Sequence, residues 1–295
     1  MNPRHTPQPA HSQLTRSTSN HPLLNPYDLL MTALLMALMF MGVLFTPKVL
    51  AADSQMAEAV NRSGMQRMLS QRIAKAYFLM GLGENQSLAQ KQLVDGIALY
   101  NDNLTFLSRF ESKHRLTTSL PELIELWQGF HVLVQQPVTQ ATGRQVLVAS
   151  DELLLKAEEL THQLETISGT QGAEIVNISG RQRMLSQRIS KLYMAYCWQI
   201  KGDEALDEML ESLSEYEIAL SFLRSAPLNT KSISHNLRKV AGQLTFAQKS
   251  FDKLSEGSYL IHVVNSTTDT MLKQMDQITH LYVDAINERP ALSQL

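Results

Sequence analysis

From about residue 53 onward, apolar residues return every three or four positions, and the apolar/polar alternation of a half-buried strand is lacking. Leu, Ala, Gln, Glu and Met dominate this region, which therefore predicts helix almost throughout. The pattern breaks at "GLGENQS" (81–87), "KHRLTTSLP" (113–121), "QPVTQATG" (136–143), "GTQG" (169–172), "KGDE" (201–204), "SAPLNTKS" (225–232) and "EGS" (256–258). Seven breaks leave eight helices. Asp203 and Asn229 are expected as N-caps, Ser119 followed by Pro121 as a helix start, and Gly81 and Gly257 as C-terminal glycines. The predicted fold is all-α: two tandem antiparallel four-helix bundles, residues 53–168 and 171–288, after an N-terminal segment, residues 1–52.

A repeat supports the division. Residues 61–77, "NRSGMQRMLSQRIAKAY", and 177–193, "NISGRQRMLSQRISKLY", are identical at 13 of 17 positions, while the rest of the two halves is far less alike. Apolar patterning alone preserves a fold through drift, so identity confined to one segment points to a demand beyond packing. On a helix, Val60, Gly64, Arg67, Gln71, Ala74 and Phe78 fall on one stripe, matched by Val176, Gly180, Arg183, Gln187, Ser190 and Met194. A second, apolar stripe of Leu69, Ile73, Ala76 and Met80, or Leu185, Ile189, Leu192 and Tyr196, can face the core of its own bundle.

A guanidinium near a helix seam keeps its charge and needs partners for five donors. If the two motif helices pack together, Arg67 and Arg183 face one another, and no carboxylate lies on either stripe to neutralise them. A small anion between them would accept charge-assisted hydrogen bonds from both. Ser63, Ser179, Gln71 and Gln187 flank the site as neutral donors, and Gly64 and Gly180 permit close approach. Arg62, Arg72, Arg181, Arg188, Lys75 and Lys191 lie off the stripe and are expected at the surface, solvated or paired locally. Met68 and Met184 are expected to pack at the seam edge, and Tyr77 and Tyr193 in the core or at its rim.

Composition narrows the function classes. A formal net charge of −2 supplies no basic field for nucleic acid. The single cysteine, Cys197, excludes an internal disulfide framework and is expected as a small buried hydrophobe. The histidines form no i, i+4 pair and there is neither metal-ligand spacing nor a Gly-rich phosphate loop, so the expectation is no enzyme, no metal and no cofactor. Near the N-terminus, "LLMTALLMALMFMGVLF" (29–45) runs 17 residues without a charge, and Val49 and Ala51 then fit a signal-peptidase site. The segment reads as a cleaved export signal or as a membrane anchor; in either case residues from about 53 onward are exported.

The motif "NxSGxQRMLSQRIxK" closely resembles the ligand-sensing segment of the PilJ/NarX-like family, the periplasmic domains of type IV pilus chemotaxis transducers and of nitrate/nitrite sensor kinases. The resemblance implies a four-helix bundle whose first helix pairs with its own copy, with one nitrate held between an arginine from each. By motif position these arginines correspond to Arg67 and Arg183. The "LSQR" that follows Arg-Met is more similar to the pilus-transducer branch, whose ligand the resemblance does not supply. No kinase, second membrane run or methyl-accepting coiled coil follows the second bundle, so signalling is expected to pass through a partner: a membrane sensor, transducer or transporter. A tight turn at Gly169–Gly172 would set the two motif helices side by side and parallel, as two such domains would pair between chains. The expected function is a Gram-negative periplasmic sensory module for a small oxyanion, nitrate or nitrite first, and the alternative is a ligand-free scaffold of the pilus or chemotaxis machinery.

Overall fold

The computed structural model describes residues 55–114, 118–251 and 260–288, all within the compact unit Val49–Leu295. The apolar run at 29–45 and the expected processing site at Ala51 lie outside the described residues. Among the described residues there are eight helices and no strand: α1 (55–81), α2 (Gln86–His114), α3 (Leu120–Leu133), α4 (Gln140–Ser168), α5 (Gln171–Cys197), α6 (Glu204–Arg224), α7 (Lys231–Phe251) and α8 (Ile261–Glu288). None of the described helices is long and apolar enough to cross a membrane.

The turn between the repeats is tight and uses one of its two glycines, since Gly172 already lies within α5. Gly169 takes a left-handed conformation, φ 60°, and ends α4, and the Thr170 hydroxyl then accepts the Ala173 N–H at 3.2 Å to start α5. Two other caps differ from expectation. Asn229 does not begin α7, where Thr230 accepts the Ile233 N–H at 3.2 Å; instead its side-chain amide donates to the Leu223 and Arg224 carbonyls and closes α6. Gly81 is still helical, and Gly83, at φ 75°, takes the left-handed place beyond it. What Gly81 provides is space: a Cβ there would lie 2.1 Å from the Trp198 ring, and one at Gly143 of α4 would lie 2.5 Å from it. Asp203 precedes α6 without a side-chain cap bond, and Ser119 likewise precedes α3. Gly257 lies outside the described residues.

Within each repeat the helices pack as a four-helix bundle, with α2 and α3 covering α1 and α4, and α6 and α7 covering α5 and α8. Because α5 doubles back on α4, the motif helices α1 and α5 lie side by side, each donating an arginine bond to the other's backbone. The inner helices α1, α4, α5 and α8 therefore meet in a shared centre. The consequence is that α1 and α5 are buried on nearly every face, their polar residues included.

Candidate functional site: the arginine seam between the repeats

Both motif arginines have no exposed surface. The guanidiniums converge beside Gly180, where a Cβ would lie 3.2 Å from Arg183 Nη2 and 3.5 Å from Arg67 Nη2. A Cβ on Gly64 would lie 2.9 Å from Arg67 Nη2, so the two motif glycines clear room for arginine side chains. Arg67 Nη2 donates to the Asn177 carbonyl at 3.4 Å, and Arg183 Nη2 donates to the Asn61 carbonyl at 3.3 Å and to Asn61 Oδ1 at 2.8 Å. The seam is thus two-fold in its chemistry, each arginine reaching across to the other repeat's asparagine.

The motif stripes carry no carboxylate of their own, but neighbouring helices supply one to each arginine. Arg67 Nη1 donates to Glu158 on α4 at 2.8 Å, and Arg183 Nη1 to Asp276 on α8 at 2.8 Å. Glu158 also accepts from Arg181, which is paired in turn with Glu215 on α6. Burial lowers the affinity of Arg67 for its proton, and Arg181 and Arg183 add to this against the pull of Glu158; a guanidinium nonetheless stays a cation in a protein. Burial works against charge on Glu158 as well, but Arg67 and Arg181 together hold its carboxyl below the usual range.

Lys75 and Lys191, expected at the surface, are also fully buried. Their partners are exchanged between the repeats: Lys75 of α1 meets Asp269 of α8 at 2.6 Å, and Lys191 of α5 meets Asp151 of α4 at 2.6 Å. Burial pushes both amines down to about 8, although Asp269 and Asp151 oppose it. Gln71 Nε2 donates to the Ser150 carbonyl at 3.0 Å, and Gln187 Nε2 to the Thr268 carbonyl at 3.5 Å and to Asp269 at 3.3 Å. Ser63 and Ser179 are buried but turn away from the seam, bonding the Val60 and Val176 carbonyls of their own helices. The Nε atoms of Arg67 and Arg183 and the Oε1 atoms of Gln71 and Gln187 are buried without a partner among the described residues.

The same chemistry is therefore built twice from one motif and one acidic helix, and the family comparison divides the chain in the same way. Residues 49–159 and 168–280 each match the family model PilJ, described as the N-terminal domain of type IV pili methyl-accepting chemotaxis transducers. The chain belongs to the PilJ family. It carries two PilJ domains in tandem and is a sensory, chemotaxis-transducer-like module, from a family that is not catalytic. No curated protein and no solved structure matches the chain.

In each PilJ domain the partners that sequence reasoning did not find sit on the last helix. Asp151 and Glu158 on α4, and Asp269 and Asp276 on α8, are each seven residues apart, and the two pairs lie 118 residues apart. That echo of the 116-residue motif repeat is a legible signal, since it places two carboxylates on one face of each last helix, one for the arginine of its own repeat and one for the lysine of the other.

Proposed function

We propose that the protein is an exported sensory module of the periplasm of a Gram-negative bacterium that binds a small oxyanion, nitrate or nitrite first, at the arginine seam. It then presents the bound state to a membrane sensor, transducer or transporter. The observation that carries this reading is the convergence of Arg67 and Arg183 on Gly180, with an unpartnered Nε on each buried guanidinium. Two guanidiniums offer planar donor sets that match a planar oxyanion. Glu158 and Asp276 act as internal counter-ions in the ligand-free seam, and the anion competes with them, which sets its affinity.

One observation favours a second reading. The same two carboxylates already balance Arg67 and Arg183, as a ligand-free scaffold in a pilus or chemotaxis assembly would require. Thermal unfolding against nitrate, nitrite, sulfate and chloride at constant ionic strength separates the two. An anion at 100 times its dissociation constant raises stability by about 2.7 kcal/mol, several degrees in melting temperature. Arg67→Ala leaves Glu158 to Arg181 alone and lowers the baseline itself, so the anion-induced rise is the quantity compared. A rise with one oxyanion that vanishes in Arg67→Ala and Arg183→Ala supports the sensor. Equal midpoints in all four salts support the scaffold.

A further inference from the structure

The two repeats share a seam but not their outer grooves. A cavity of about 360 Å³ opens between α1, α2 and α8, and its counterpart of about 250 Å³ lies between α4, α5 and α6. Their linings correspond across the repeat, and the residues that differ change the chemistry. Met65 and Leu99 of the first stand where the second has Arg181 and Glu215, each pair 116 residues apart, so an ion pair in one groove is an apolar wall in the other. Met68 and Leu272 extend that wall.

The cations differ as well. In the second groove Arg188 is held by Asp151 at 3.1 Å and Glu208 at 3.6 Å. In the first, Gln92 takes the place of Glu208, and it donates its own amide to Asp269 Oδ2 at 2.9 Å while Lys75 occupies Oδ1. Arg72 thereby lacks the direct ion pairs that its counterpart has, and among the described residues it makes no hydrogen bond, acting on Asp269 only through space. Lys273, at the same cavity, is likewise unpaired among the described residues, and Asp276 is committed to Arg183.

We infer that the groove between α1, α2 and α8 is a second binding site, for a small amphipathic carboxylate whose head is taken by Arg72 and Lys273 and whose apolar body lies on Met65, Met68, Leu99 and Leu272. A bare inorganic anion would leave the apolar wall wet, and a neutral apolar molecule would leave both cations unanswered. The volume suits a small molecule. Asp269 and Asp276 also line this groove, but their charges are committed to Lys75 and Arg183, so an occupant lies one side chain from the seam.

Calorimetric titration of the full chain with octanoate tests the assignment, with octanamide, octylammonium and acetate as the comparison ligands. Octanoate binds, and the other three bind at least about tenfold more weakly, because each lacks either the charge or the apolar body. Arg72→Gln weakens octanoate by about tenfold. Leu99→Glu, which installs the acidic residue of the other groove at a position 40 % exposed, removes binding while the circular dichroism spectrum is unchanged. Arg188→Gln in the second groove leaves it intact. The assignment is overturned by no octanoate binding, by octanamide or octylammonium binding as well as octanoate, or by folded Arg72→Gln and Leu99→Glu variants that bind like the unaltered chain.

Discussion

Lys75 and Lys191 set the pH response of this protein, because an ammonium without exposed surface carries a desolvation cost that its aspartate offsets only in part. Each titrates at about 8 in the fold against 10.5 for an unperturbed lysine. Between those values the unfolded chain binds more protons, so the two lysines make stability rise with pH from about 8 upward, and below 8 their cost is carried in full. The carboxyls of Glu158 and Asp269 lie below their ordinary values, so their contribution is complete above those values and is lost as pH falls through the folded ones. Urea midpoints measured from pH 7 to 9.5 should therefore increase, and the double variant Lys75→Met/Lys191→Met should be flat over the same range. The increase stops as buried tyrosines such as Tyr216, whose phenol burial raises, begin to oppose ionisation.

Helix packing here turns on where a side chain is withheld. Trp198, just beyond α5, lies against Gly81 of α1 and Gly143 of α4 and touches the rings of Tyr77 and Phe78, with centroids 6.2 and 6.0 Å away. It closes one end of the contact between the repeats. Gly143→Ala would press a methyl into that ring and should cost about 1–3 kcal/mol, because a packed core yields only by moving rotamers or backbone. Gly129 on α3 is exposed and meets nothing within 4 Å. Gly129→Ala should instead stabilise by about 0.5–1 kcal/mol, through helix propensity alone. Chemical denaturation of the two variants distinguishes a glycine required by packing from one that is not.

The two PilJ domains exchange ion pairs as well as apolar contacts, since Lys75 and Lys191 each find an aspartate in the other repeat. A fragment of residues 53–168 would leave Lys75 and the cross-seam donor of Arg67 unpaired, while retaining Asp151 and Asn61, the groups a second copy needs. It should therefore form a two-fold dimer through α1, with Lys75 of each copy paired to Asp151 of the other. Sedimentation equilibrium at micromolar concentration should find a dimer, and Asp151→Ala should shift it to monomer; a folded monomeric fragment would show that the exchanged pairs do not hold the repeats together. What the linear order of residues determined is local or periodic: the all-helical class, the breaks, the motif repeated 116 residues apart, the turn at Gly169 and the arginine on each seam. These follow from propensity, spacing and the absence of a Cβ, which neighbouring helices do not alter. The tertiary structure alone decided which carboxylates meet the arginines, why Gly81 is glycine, and that Lys75 and Lys191 are interior. A helical wheel assumes one solvent face, whereas α1 and α5 are enclosed by both repeats at once, so a position off one seam lies on another.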